Sequence, residues 1–360
     1  MKAMHSGRNR WPVHLFLILM VAMGSLVLPG CKPQVQKEIT VLEWQDFEDP
    51  EYWADFSKKY PDVKVNYELF QGDVEMFERA KKGDFDVIHG CTTTWLQMIE
   101  QGLILPLDTS RLVNYPDLFS QLVEKGSFNG NYYFMPVDWG YEGILVRTDK
   151  VAALPVSWSD LWKGEYAGHV SIYDYGQNAY NLTSLALKLE PALSTPTQDI
   201  IVENALSKLR PNLYNAWSDY EMLEKDMTSG DVWVAGNAWT DSFVRLKEKG
   251  VPVEYILPKE GALAWLCGYG IGKNSDNPDM AYEFINSVTT PEANAWMSQA
   301  FYYGPGNMKS LPLINQEVVD LLNLDKKDFM ERMYLLPPLT KIEDEKYALM
   351  WIKVFVSYIN

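Results

Sequence analysis

From Ile39 onward the chain alternates between two hydrophobic periods, and this alternation constrains the fold more than any other feature. Val63, Val65, Tyr67 and Leu69 alternate with Lys64, Asn66 and Glu68, the pattern of a half-buried strand. Just before it, Asp49-Pro50 opens a run in which Trp53, Phe56 and Tyr60 fall at i, i+3 and i+7, the buried face of a helix that Pro61 stops. A helix is predicted over 73–82, then a short strand Phe85-Asp86-Val87-Ile88. The next helix ends near Gly102, with Thr92, Thr93 and Thr94 offering its N-cap. Strand and helix in this rhythm predict an α/β lobe with a parallel sheet. A second such stretch begins near Tyr141, with strands near 144–147 and 169–172, helices around 179–189 and 197–209, and a strand Val232-Trp233-Val234-Ala235. Asn277-Pro278-Asp279 and Thr290-Pro291-Glu292 each read as N-cap, proline at N1 and acid at N2. A length of 360 residues suits about two domains.

The first thirty residues are an address rather than structure. Lys2, Arg8 and Arg10 precede an apolar run from Leu15 to Leu28, the n-region and h-region of a secretory signal. It ends in Leu28-Pro29-Gly30-Cys31, which resembles a bacterial lipobox with Pro29 in place of the usual small residue. Cys31 is then the lipidated first residue of the mature chain, and the body sits in the periplasm or at the cell surface, anchored to the membrane. Removing 1–30 takes away three basic residues and no acids, so 29 Lys+Arg face 48 Asp+Glu, a formal charge of −19.

This acidity excludes a nucleic-acid binder, which needs a basic footprint to displace phosphate counterions. The mature chain keeps only His89 and His169 and, beside Cys31, only Cys91 and Cys267. Such scarcity disfavours multi-ligand zinc sites, and neither metal nor cofactor is expected. Two motifs are decoys. Gly268-Tyr269-Gly270-Ile271-Gly272-Lys273 misplaces the first glycine of a phosphate loop and reads as a strand. His89-Gly90-Cys91 suggests a thiol nucleophile, but no orienting acid is evident.

Six segments, in order, resemble the periplasmic polyamine-binding proteins of ABC importers. They are Glu43-Trp44-Gln45-Asp46-Phe47, Phe85-Asp86-Val87-Ile88, Pro136-Val137-Asp138-Trp139-Gly140, Ser157-Trp158-Ser159-Asp160-Leu161-Trp162-Lys163, Pro258-Lys259-Glu260-Gly261 with Trp265, and Tyr303 before Pro305. The resemblance implies an α/β, two-lobe periplasmic-binding-protein-like fold of type II, with a ligand cleft between lobes joined by crossing segments. The crossings fall near Trp139, Cys267 and Tyr303. After the 1–30 signal and a 31–37 tether, one lobe takes 38–139 plus 268–303 and the other 140–267 plus 304–360. A monomer that delivers its solute to an ABC permease in the inner membrane is implied.

An amine ligand needs aromatic faces for its charge and methylenes, and carboxylates for its ammonium ends. By the resemblance, Trp44, Asp46 and Phe47 form one binding loop and Cys91, Thr92 and Thr93 a second, with Trp239, Trp265 and Tyr303 as aromatic walls. Tyr175, Asn178 and Cys267 stand where polyamine binders carry acids. Candidate replacements are Asp138, Glu142, Asp174 and Asp241, with Asp138 ranked first; a compact organic cation, such as a small amine or quaternary ammonium, then suits the site better than spermidine. Cys91 and Cys267 are expected to be free thiols lining the pocket. Alternatives are a sugar, amino-acid or metal binder on the same fold, or a secreted carbohydrate-active enzyme using Asp138 and Glu142 as its carboxylate pair.

Overall fold

The computed structural model describes residues 38–191, 193–325 and 333–356. The signal, tether and Cys31 lie outside the described residues. Among the described residues twelve strands form one sheet, and its main path of eight runs in the order Lys64–Phe70, Glu38–Trp44, Val87–Cys91, Ala262–Gly272, Met135–Arg147, Val234–Ala238, Val170–Tyr173 and Leu213–Trp217. The first three are mutually parallel, as the strand–helix alternation predicts. So are the last three, by the pairings of Val170–Tyr173 with its two neighbours. Between these parallel triplets lie two long antiparallel strands, Ala262–Gly272 and Met135–Arg147, which run from one half of the molecule into the other.

Each half builds its own apolar cores. Ile39, Val41, Phe56, Val87, Phe284 and Ile285 pack together on one side of the first triplet, while Leu42, Phe70, Met76, Trp95 and Phe134 pack on the other. In the second half, Val170, Ile172, Leu182, Val202 and Trp351 form one cluster, and Trp217, Leu223, Met227 and Leu246 another. The helix Gln316–Leu322 adds Val318 and Leu322 to the cluster of Trp95 and Trp139, whereas Lys341–Val356 packs with the second half.

Several helices begin where the sequence places them. Pro291–Phe301 starts after Thr290, whose hydroxyl accepts from Ala293 N–H at 3.2 Å. The threonine run behaves differently. The strand Val87–Cys91 leads straight into the helix Thr92–Glu100, so Cys91 holds the N-cap position and the threonines lie inside the first turn.

Candidate functional site

The loop after Glu38–Trp44 brings Trp44, Asp46 and Phe47 to a cleft of about 840 Å³, its open mouth included. Asp46 takes φ 77°, a left-handed conformation that short polar side chains tolerate, and accepts from the Tyr220 hydroxyl at 3.3 Å. Cys91 and Thr93 line the cleft from the strand–helix junction, and Asp138 and Glu142 from the long strand Met135–Arg147. Trp239, Trp265, Cys267 and Tyr303 complete the predicted set. The structure does not bring Thr92 or Tyr175 into the lining. Thr92 is buried in its helix, and the Tyr175 hydroxyl donates to Asp344 at 3.1 Å.

Aromatic rings shape the walls. Trp265 meets Tyr303 edge to face at 4.7 Å between centroids, and Trp239 meets Trp217 in the same way at 5.1 Å. Phe47 stacks on Phe301 at 4.3 Å, and Trp44 leans on Phe70 at 4.6 Å. Gly140 lets the Trp265 indole lie against the long strand, since a Cβ there would overlap the ring. The indole N–H groups of Trp44, Trp239 and Trp265 are buried without a partner among the described residues.

The thiol expectation is corrected. Cys91 and Cys267 are joined in a disulfide, because antiparallel pairing of their strands sets the two residues opposite each other. The bond ties neighbouring strands in one sheet, so it does not clamp the cleft as a bridge between distant walls would.

His89 remains no catalytic base, but the acids that the sequence does not show beside it are present. Its Nδ1 lies 2.5 Å from Glu43 Oε1 and its Nε2 lies 3.0 Å from Asp138 Oδ1, all three side chains buried. Burial alone would lower the imidazole pKa; Glu43 and Asp138 outweigh it and push the group up to about 9. Tyr269 donates to the other Glu43 oxygen at 2.7 Å. With Cys91 bonded to Cys267, this histidine activates no thiol; it supplies the positive charge that permits Asp138 to be buried.

The candidate acids now separate by partner. Asp138 faces His89, Asp241 accepts from Arg245 Nη2 at 2.9 Å, and Asp174 accepts from the Trp351 indole at 2.7 Å and lies outside the lining. Arg245 also donates to Glu224 at 2.5 Å and packs over Tyr220, 4.3 Å from its centroid. Glu142 accepts only from neutral amides among the described residues, Asn178 Nδ2 and, at 2.6 Å, Asn237 Nδ2. Burial drives its pKa up to about 8, the two amides oppose the shift, and Asp73 adds to it. Asp73 itself opens the helix Asp73–Ala80 on the facing side, and burial pushes it up to about 6. Asp73, Tyr220 and Arg245 are lining residues that sequence reasoning missed; each sits on an ordinary helix with no local signal.

Asp138 and Glu142 do not form a glycosidase pair. Four residues apart on one strand, their Cα atoms lie roughly 13 Å apart, and the two carboxyls are engaged separately, Asp138 by His89 and Glu142 by Asn178 and Asn237.

A family model described as bacterial extracellular solute-binding protein matches residues 51–321. The chain belongs to this family. Among its relatives, the spermidine/putrescine-binding periplasmic protein of Escherichia coli (strain K12) is 25% identical over 316 residues, 87% of this chain and 89% of that one. The putrescine-binding periplasmic protein PotF of the same organism is 28% identical over 324 residues, covering 84% and 85%. In fold, the structure is similar to the spermidine/putrescine ABC transporter substrate-binding protein PotD from Streptococcus pneumoniae, with a TM-score of 0.77 at 23% identity over 89% of this chain and 98% of that one. The two-lobe α/β architecture of the solute-binding proteins is therefore the fold of this chain, and solute binding in a transport system is its class of activity.

Proposed function

We propose that the cleft captures a small organic cation, a polyamine or a more compact amine, and presents it to an ABC permease of the inner membrane. One observation carries this reading. Asp46, Asp73, Asp138, Glu142 and Asp241 line the cleft against a single basic lining residue among the described residues, Arg245, whose guanidinium is already occupied by Asp241 and Glu224. Trp44, Trp239 and Trp265 add faces for cation–π contact. The names of the relatives, spermidine/putrescine- and putrescine-binding proteins, support the same solute class. Asn178 and Cys267, where further acids would stand, favour a compact ligand over a long one.

Supporting parts of the reading are these. The lobes comprise 38–139 plus 268–303 and 140–267 plus 304–360, except that the helix Gln316–Leu322 within that last segment goes with the first lobe, because Val318 packs near Trp95. The protein works as a monomer, held through lipidated Cys31 in the periplasm or at the cell surface. The three unpartnered indole N–H groups favour a second reading, a ligand that carries an acceptor as well as a positive charge, such as an amino acid. Calorimetric titration of the mature protein with putrescine, spermidine, choline, glycine betaine, amino acids and sugars tests both. Binding of amines alone supports the first, and preference for a zwitterion supports the second. Binding confined to sugars would overturn both.

A further inference from the structure

We propose that Glu142, held by Asn178 and Asn237 and faced by Asp73, is a subsite that demands a primary ammonium group, so the solute is an N–H donor rather than a quaternary cation. The inference rests on the cation reading above and narrows it. Glu142 and Asn178 line the cleft while being almost wholly buried, and Asn237 is fully buried behind them. Each amide gives one N–H to the Glu142 carboxyl, which turns both amide oxygens away from that bond. Asn178 Oδ1 and Asn237 Oδ1 then have no hydrogen-bond partner among the described residues, and neither does Asp73 Oδ1 across the cleft. Buried acceptors short of donors are costly, and the donors near these, such as the Thr93 hydroxyl beside Asp73, are neutral. Tyr173 and Tyr255 also lie within electrostatic reach of Glu142, and their phenols remain neutral because burial raises both well above the ordinary value.

A primary ammonium brings three N–H donors and a charge, and suits a corner rich in acceptors and lacking, among the described residues, any cation of its own. A quaternary nitrogen satisfies the aromatic walls but leaves every one of these acceptors unpaired. The exchange balances: a protonated Glu142 carboxyl and a free R–NH3+ become a carboxylate–ammonium pair, and the displaced proton leaves to solvent. Asp138 cannot substitute for this role because its carboxylate is turned to His89. This reverses the order read from the sequence.

The test pairs ligands that differ only in methylation, ethanolamine against choline and putrescine against its hexamethyl bis-quaternary analogue. These are titrated into the wild-type protein and into Glu142→Gln, a neutral isostere whose unchanged or raised melting temperature shows that it folds. The primary amines should bind at least tenfold tighter than their methylated partners. Glu142→Gln should cost the primary amines at least tenfold and the quaternary ligands less than threefold. Equal binding of primary and quaternary ligands, or equal losses for both in Glu142→Gln, would overturn the subsite while leaving the cation reading standing. Failure of every amine to bind would overturn both.

Discussion

Capture of an ammonium at Glu142 should expel a proton, and burial sets the amount. With the carboxyl at about 8 in the empty cleft, about 0.9 of the molecules hold that proton at pH 7. Asp73, at about 6, adds about 0.1 at the same pH. His89, at about 9, keeps its proton throughout this window. A bound cation that ionises both carboxyls therefore releases about one proton at pH 7 and about 1.5 at pH 6. Affinity should strengthen about seventeenfold between those two values, because the proton competes with the cation for the same oxygens. Calorimetry with putrescine in phosphate and in Tris reads the count directly, as the slope of observed enthalpy against buffer ionisation enthalpy. Glu142→Gln should reduce the release at pH 7 to about 0.1 and the pH effect on affinity to about twofold. A wild-type slope of zero, or a full proton still released by Glu142→Gln, would refute the reasoning.

Further outcomes follow from other parts of the structure. Trp44→Ala, Trp239→Ala and Trp265→Ala should each weaken amine binding about thirtyfold, from ~2 kcal/mol of desolvated cation–π contact. Trp95→Ala, in the core, should instead cost about 3–5 kcal/mol of stability; normal binding by all three cleft variants would show the walls misassigned. The Cys91–Cys267 bond closes a loop with a sequence separation of 176, so the double serine variant should lose up to about 5 kcal/mol on the chain-entropy scale. Thermal melts with and without reductant check this: reductant should lower the wild-type midpoint and leave the variant unmoved. His89 is raised from 6.5 to about 9 and Glu142 from 4.5 to about 8, so each stabilises the empty fold below its unfolded value and loses that contribution as pH rises through its folded one. The melting temperature should accordingly fall from pH 6 to pH 9, with a shallower slope in His89→Gln; a rise over that range would contradict the charge assignment. Cys31→Ser should release the protein from membranes or stall its processing, and unchanged fractionation with unchanged gel mobility would count against lipid anchoring.

What was legible in the sequence was local. Alternation in Val63–Leu69 and the proline-led starts at Pro278 and Pro291 carry their structure within a few residues, and the strands and helices there follow the pattern. The long strand Met135–Arg147 does not look like a buried strand, since it holds Pro136, two glycines and two acids. Its burial is tolerable because each acid finds a partner that only the fold supplies, His89 for Asp138 and two asparagine amides for Glu142. Glu43 and Asp138 lie 46 and 49 positions from His89, and Cys267 lies 176 from Cys91. No spacing rule links such residues; strand register does. Asp73 and Arg245 were invisible for the complementary reason, that an acid at a helix start and an arginine on a helix face are ordinary everywhere on a surface.

The central claim is that a cation enters an aromatic cleft and places its nitrogen on buried carboxylate. A crystal structure of the mature protein with the tightest-binding amine of the titration panel tests it most directly. The ligand's methylenes should lie among Trp44, Trp239 and Trp265, with an ammonium nitrogen within hydrogen-bond distance of Glu142 and of Asn178 Oδ1. A nitrogen resting outside the cleft, or a ligand whose negative group occupies the Glu142 corner, would contradict it.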